Sequence, residues 1–172
     1  MKTSIFVGTS VDGFIARADG ALDWLPPEGN PSFEAFLATV DTVAMGRATF
    51  ESVLKLGEWP YGAMPVFVLS SRELELPAIA GAAVERESGE PGEIAARLEA
   101  RGVRHLYVDG GITIRRFLRA GLIHRLVITR VPVLIGEGIP LFGPLLGDVV
   151  LRHVATREYP GGLVESEYEV AG

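Results

Sequence analysis

Two adjacent glycines near the middle of the chain occupy a position that could bind an anion. Residues 106–108 are apolar and favour β-structure. Gly110 and Gly111 follow, and they permit a sharp turn while leaving no Cβ atoms to keep a ligand away. Apolar residues at helical spacing then run to Leu118, so the free N–H groups of a helix would face the glycines. The segment predicts either a phosphate site or a simple strand–helix turn.

Basic and hydroxyl side chains follow two other predicted strands and add to this anion chemistry. Gly46 and Arg47 combine the start of a predicted helix with a guanidinium group. Ser70, Ser71 and Arg72 follow an apolar segment at residues 65–69 and supply further donors. Each feature alone is compatible with an ordinary solvated surface. Together with the double glycine they favour a ligand with several phosphates, such as a phosphorylated dinucleotide.

Acidic side chains early in the chain are candidates for proton transfer. Asp12 and Asp23 lie in a long predicted loop, and Glu34 lies just after it. The alternatives are turn chemistry for the two aspartates and an exposed helix face for Glu34. Trp24 could stack on a flat ring, or it could anchor the loop to the core. The three histidines have no metal-ligand spacing, so we predict no metal site.

The elements that would position these residues alternate along the chain. Strands and helices alternate up to about Gly121, and two strands at residues 149–159 and 163–170 close the chain. This order predicts a single α/β domain over residues 1–172, with a mostly parallel central sheet, flanking helices and a C-terminal antiparallel hairpin. Because ligands of such sheets bind at the C-terminal strand ends, the loops described above should meet in one site.

Two local patterns give more specific expectations. Asn30 and Pro31 form a good helix start, with Asn30 as the capping residue. In the last strand, apolar or small residues alternate with Glu165, Glu167 and Glu169. This alternation predicts an antiparallel edge strand with one face in water.

Composition limits the classes of protein that remain. The chain has 172 residues, 48% of them hydrophobic, and a formal charge of −6. The negative charge disfavours nucleic acid or an anionic membrane as the main partner. The chain has no cysteine, no apolar run of membrane-spanning length and no leader pattern at its start. We therefore expect a cytoplasmic protein that binds a small molecule.

Several motifs, in order, resemble one family. The sequence is similar to the dihydrofolate reductase superfamily, and within it to the C-terminal reductase domain of the bifunctional riboflavin-biosynthesis deaminase–reductase and its stand-alone relatives. The segments that carry the resemblance are Ser10 to Ala16, Gly20 with Asp23 and Trp24, Met45 to Ser52, Val68 to Ser71, Val108 to Gly111, and Pro132 to Phe142.

The resemblance implies an oxidoreductase that uses NADPH and assembles as a homodimer. It implies a catalytic region around Asp12, Asp23 and Trp24, with the loop at residues 10–16 over the nicotinamide. The residues implied to bind the cofactor are Gly46, Arg47, Thr49, Ser70, Ser71, Arg72, Gly110, Gly111, Ile112 and Thr113.

The substrate stays open among three hypotheses. A riboflavin precursor of the 5-amino-6-(5-phosphoribosylamino)uracil type is the first, and a pterin such as dihydrofolate is the second. Folate reductases carry an acid on the helix after the first loop, and counting back from Phe36 puts that place at Ser32. Riboflavin-type reductases carry a paired aspartate where this chain has Phe50 to Val53. A nucleotide-binding module without catalysis is therefore the third hypothesis.

Overall fold

One large sheet forms the centre of the protein. A computed structural model describes all residues from Met1 to Gly172. The strands are β1 (Lys2–Ser10), β2 (Phe14–Ala16), β3 (Thr42–Gly46), β4 (Pro65–Leu69), β5 (Ala83–Glu87), β6 (His105–Asp109), β7 (Arg125–Val131), β8 (Ile139–Pro140), β9 (Leu151–Tyr159) and β10 (Leu163–Val170). The helices are α1 (Phe33–Leu37), α2 (Arg47–Lys55), α3 (Pro91–Ala100) and α4 (Gly111–Arg119). Eight strands join in the order β5-β4-β3-β6-β1-β7-β10-β9.

The sheet is parallel from β5 to β7, and the predicted fold class is confirmed. Only the β7–β10 and β10–β9 pairs are antiparallel, which places the predicted hairpin at one side of the sheet. The central strands β3 and β6 are nearly continuous apolar runs that are buried along their length. Such runs are typical of parallel strands covered on both faces.

Helices cover both faces of this sheet. One core cluster contains Phe36 of α1 and Phe50 of α2, together with β-strand side chains. The other contains Ile94 of α3 and Phe117 of α4. The periodic apolar residues of each helix therefore pack on the sheet, and the helix N-termini of α2 and α4 follow directly from β3 and β6. None of the four helices combines the length and the apolar character needed to cross a membrane.

The first helix starts later than the sequence predicts. Its N-cap is Ser32, not Asn30, and α1 begins at Phe33. The Asn30 side chain instead accepts the backbone N–H of Ser32 at 3.0 Å and donates to the Thr129 hydroxyl at 2.6 Å. Asn30 therefore forms a turn and a long-range contact in place of a helix cap.

The last strand differs from its predicted role. β10 lies between β7 and β9, so β9 is the edge strand and the prediction of an edge position for β10 is wrong. The predicted exposed glutamate face is also wrong, because Glu165 is only 1% exposed and Glu167 forms ion pairs with Arg125 and Arg157. Alternation identified two faces of the strand, but it could not show that other residues cover the polar one.

Two loops pair with each other in a way that the sequence did not indicate. The short strands β2 and β8 form a separate antiparallel pair between the first long loop and the loop after β7. The N–H of Leu141 also donates to the carbonyl of Gly13 at 3.0 Å. These contacts hold the β1–β2 loop in a defined position beside the C-terminal ends of the parallel strands.

Candidate active site

A cavity lies where four parallel strands end. It has a volume of about 630 Å³, and its wall includes Gly8, Gly46, Leu69 and Asp109, from β1, β3, β4 and β6. Residues from the first long loop and from α1, among them Leu25 and Phe33, form the apolar part of the wall. The loops predicted to meet at this edge of the sheet therefore do meet there.

The double glycine forms a cradle that has no room for side chains. Gly110 has a φ of +92°, and a Cβ atom there would collide with the Thr49 hydroxyl. A Cβ atom on Gly111 would lie 2.6 Å from the Ile15 side chain, and one on Gly46 would lie 3.0 Å from the Thr113 hydroxyl. Only glycine fits at these three positions, because protein side chains already occupy the space that a Cβ atom would need.

Two helices begin at the cradle without side-chain caps. α2 follows Gly46 and α4 follows Gly110, and neither capping residue offers a side-chain hydrogen bond. The first N–H groups of both helices therefore remain available, and both helix dipoles place partial positive charge at this point. A phosphate group would accept hydrogen bonds from these N–H groups and would carry the negative charge that the helix dipoles favour.

A second, polar cavity of about 400 Å³ adjoins the first. Arg47, Leu69 and Arg116 line both cavities, so the two form one continuous cleft. Three arginines, namely Arg47, Arg72 and Arg116, line the second cavity together with serine hydroxyl groups. Glu90 also lines this cavity and pairs with Arg116 at 3.4 Å, so the net charge of the lining is still positive. A positive lining suits a phosphate group that is separate from the one in the glycine cradle.

The structure brings the ten residues implied to bind a cofactor to this cleft. Seven of them line the larger cavity: Gly46, Arg47, Thr49, Gly110, Gly111, Ile112 and Thr113. The other three, Ser70, Ser71 and Arg72, line the smaller cavity. Arg116 was not among the predicted residues, although a basic residue in the second turn after the double glycine was a usable signal.

The two aspartates predicted to act in catalysis lie elsewhere. Asp12 is exposed and accepts the N–H groups of Gly136 at 2.8 Å and Ile135 at 3.3 Å. The Ser10 hydroxyl and then these N–H groups lower the pKa of Asp12. Its observed contacts therefore fasten the loop after β7 to the β1–β2 turn.

Asp23 and Trp24 are likewise outside the cavity wall. Asp23 forms a two-point ion pair with Arg17, at 2.6 and 3.0 Å, and this guanidinium lowers the pKa of the Asp23 carboxyl. Trp24 is half-buried, and its ring N–H has no hydrogen-bond partner in the protein. This placement does not support direct contact between a substrate and Asp12, Asp23 or Trp24.

Asp109 is the acidic side chain that does line the larger cavity. Burial raises its pKa to about 6, although the Gly110 N–H donates to its carboxylate at 2.8 Å and opposes that rise. Its carboxyl group can therefore hold or release a proton near neutral pH. The sequence signal was an acid at the end of a buried strand, directly before the double glycine.

Comparisons with known proteins agree with this geometry. A solved structure from Shewanella sp. PV-4, named as a riboflavin biosynthesis protein, superposes with a TM-score of 0.91 and 38% identity over 100% of both chains. Uncharacterized protein YwjB of Bacillus subtilis (strain 168) is 31% identical over 97% of each chain. Dihydrofolate reductase from Enterococcus faecalis, solved with NADP(H), shares the fold with a TM-score of 0.70, 20% identity and coverage of 99% and 97%.

A family model agrees with these relatives. The model of the RibD C-terminal domain matches residues 2–164, which is nearly the whole chain. The same segment includes all strands of the parallel sheet and every residue of the cleft described above. The chain belongs to the RibD C-terminal domain family, a family of reductase domains with the dihydrofolate reductase fold.

Proposed function

We propose that this protein is an NADPH-dependent reductase of a nitrogen heterocycle, with a riboflavin precursor of the 5-amino-6-(5-phosphoribosylamino)uracil type as its substrate. The observation that carries the proposal is the continuous cleft at the C-terminal edge of the sheet. One part of the cleft has a volume of about 630 Å³ and a mostly apolar lining, and the other part is lined by three arginines. The walls of the two parts share Arg47, Leu69 and Arg116.

The residues of the cleft fit NADPH. The cradle of Gly46, Gly110 and Gly111 would hold the pyrophosphate against the N-termini of α2 and α4. Arg47 and Arg72 would hold the additional 2′-phosphate, which distinguishes NADPH from NADH. The nicotinamide ring, when bound, supplies the hydride for the reduction. The complex of the Enterococcus faecalis enzyme with NADP(H) supports this choice of cofactor.

The protein's own residues exclude water and supply a proton beside the heterocycle. Val7, Ile15, Leu25 and Phe33 provide an apolar surface for its flat ring. Asp109 is the carboxyl group in the wall of this cavity, and its pKa of about 6 suits proton exchange near neutral pH. We propose Asp109 in place of Asp12 or Asp23 as the proton source.

A pterin reductase is the second candidate function. The fold matches the Enterococcus faecalis dihydrofolate reductase over nearly all of both chains, and the apolar part of the cavity offers a flat pterin ring the same surface. Oxidation of NADPH, followed by absorbance with the phosphoribosylaminouracil precursor and with dihydrofolate, separates the two candidates. NADPH binding without oxidation in either case would indicate a binding module and contradict both.

Arg72→Ala is expected to weaken NADPH binding by about 10- to 100-fold and to leave NADH binding unchanged. The reason is that a charge-assisted hydrogen bond to phosphate contributes about 1.5–3 kcal/mol. NADH has no 2′-phosphate, so it makes no such bond and loses nothing in the variant. Isothermal titration calorimetry with both nucleotides measures the effect. The matched control is Arg104→Ala. Arg104 directly precedes β6, at the end of that strand away from the cleft, and it lines neither cavity. Equal affinities of the wild-type protein for NADPH and NADH would contradict the phosphate assignment.

We also propose that the protein forms a homodimer through the edge strand β9. β9 leaves one backbone edge unpaired, and exposed apolar side chains lie on it and before it. Leu146 is 98% exposed, and Val150, Leu151 and Val154 are also exposed. A second copy would cover this surface.

Val154→Asp is expected to convert the dimer into a monomer, because a charge would be buried in the interface without a partner. Sedimentation equilibrium at tens of micromolar measures the mass. Val11→Asp is the matched control, since Val11 is also an exposed valine, at 53% against 42% for Val154, but lies in the β1–β2 turn. A wild-type protein that sediments as a monomer would contradict the proposed interface.

A further inference from the structure

A buried carboxylate lies two strands away from the cavity wall. Glu165 is in β10, and its side chain is 2% exposed. The strand register places it in a row with Gly8 of β1, Thr129 of β7 and Arg157 of β9. Gly8 lines the larger cavity, so this row of cross-strand neighbours leads from the cavity to the buried acid.

One guanidinium group and two hydroxyl groups contact this carboxylate. Arg157 donates to Oε1 of Glu165 at 3.2 Å, the Thr129 hydroxyl donates to Oε2 at 3.3 Å, and the Ser32 hydroxyl contacts the same oxygen. A carboxylate paired with arginine can only accept hydrogen bonds. The hydroxyl proton of Thr129 therefore points towards Glu165 and is unavailable to other groups.

The direction of the Thr129–Glu165 hydrogen bond fixes the orientation of the Asn30 side-chain amide. Because the Thr129 proton is committed to Glu165, the Thr129 oxygen accepts from Asn30, whose Nδ2 lies at 2.6 Å. At the other end of the amide, the backbone N–H of Ser32 donates to Oδ1 at 3.0 Å, and a backbone N–H cannot accept. Both ends thus require the same orientation, with one N–H of Nδ2 on Thr129.

The second N–H of Asn30 Nδ2 has no acceptor in the protein, and Asn30 lines the larger cavity. Its lining neighbours from the same part of the chain, Leu22, Leu25 and Phe33, are apolar. We infer that Asn30 donates this N–H to a carbonyl oxygen of the heterocycle, and that Glu165, acting through Thr129, is the positioning residue that sets the donor's direction. The inference rests on the proposed function. It means that the site prefers rings with a carbonyl group opposite Asn30 over rings with an amino group there.

The decisive variant is Asn30→Asp, which keeps an oxygen for the Ser32 N–H but removes the donor. The probes are 5-amino-6-(5-phosphoribosylamino)uracil and the two analogues in which an amino group replaces one ring carbonyl. Calorimetry measures their binding to wild-type and variant proteins, with and without NADPH. We expect the variant to lose about 10- to 100-fold in affinity for the carbonyl probe and to prefer one amino analogue. NADPH affinity is expected to stay unchanged.

Glu165→Gln tests the positioning role. Its amide N–H would compete with Asn30 for the Thr129 oxygen, so the carbonyl-to-amino preference is expected to fall about 3- to 10-fold without a change in NADPH affinity. Glu167→Gln is the matched control, because Glu167 also pairs with Arg157 but contacts neither Thr129 nor Ser32. An equal change of preference in both glutamine variants would mean that only the fold is affected, and it would overturn the role of Glu165.

The outcomes separate this inference from the proposed function. Wild-type protein that binds the carbonyl probe, with Asn30→Asp showing the same preference, overturns the inference alone. Wild-type protein that binds NADPH but none of the three probes contradicts the proposed substrate and overturns the inference with it. Reversal of the preference in Asn30→Asp supports both.

Discussion

Gly110→Ala is expected to weaken NADPH binding by about 100-fold while the protein still folds. The new Cβ atom would collide with the Thr49 hydroxyl at a backbone φ of +92°. Rotation of the Thr49 side chain can relieve the contact with its hydroxyl, but Gly110 combines this φ with a ψ of 136°, a backbone conformation that alanine does not adopt. The start of α4, which supplies N–H groups to the proposed pyrophosphate site, must therefore shift. Loss of two charge-assisted hydrogen bonds at about 1.5 kcal/mol each corresponds to a loss of affinity on the order of 100-fold. Calorimetric titration with NADPH measures the loss.

Two further variants separate the collision from the backbone strain. Gly121→Ala also places alanine at a positive φ, here +68°, but with open space around the new Cβ atom, so it should cost stability without affecting NADPH binding. In the double variant Gly110→Ala with Thr49→Ala, the nearest remaining atom of residue 49 lies 3.4 Å away. The double variant should therefore recover part of the affinity lost by Gly110→Ala, relative to Thr49→Ala alone. Full NADPH affinity in Gly110→Ala would show that the cradle does not hold the cofactor.

The parts of the site that the sequence predicted depend on local rules. Glycine pairs after apolar strands, and arginines at helix starts, are visible within about ten residues of sequence. The parallel sheet then brings such strand ends to one edge, whichever residues occupy it. For these reasons Gly46, Arg47, Gly110 and Gly111 could be assigned to one cleft from their sequence positions alone.

The parts that the sequence did not predict depend on contacts between distant segments. Glu165 is 133 positions from Ser32, and its alternation with apolar neighbours indicated an exposed residue. Asp12 and Asp23 have the side chains that catalysis requires, but their partners Gly136 and Arg17 hold them in loop contacts. A residue type shows what chemistry is possible, whereas burial and partners decide which acid faces the cavity.

Asp109→Asn is expected to stabilise the protein at pH 7 by about 3 kcal/mol and to leave its stability at pH 3.5 nearly unchanged. The pKa of Asp109 is about 6 in the folded protein because the carboxyl is buried, against 3.8 as its ordinary value. The folded state therefore binds the proton more tightly, and the wild-type free energy of unfolding falls as pH rises from about 4 to 6. Asparagine carries no charge to bury, and its oxygen can still accept the Gly110 N–H.

Urea unfolding of both proteins at pH 3.5, 5 and 7 measures this difference, which should grow through the window between the two pKa values. Asp12→Asn is the control of opposite sign, since the pKa of Asp12 is lowered in the folded protein. Its carboxylate stabilises the fold above the unfolded pKa and loses that effect as pH falls, so Asp12→Asn should destabilise the protein at pH 7 only. A stability difference for Asp109→Asn that is the same at all three pH values would show that Asp109 does not titrate in this range. Such a result would also remove it as a proton source near neutral pH.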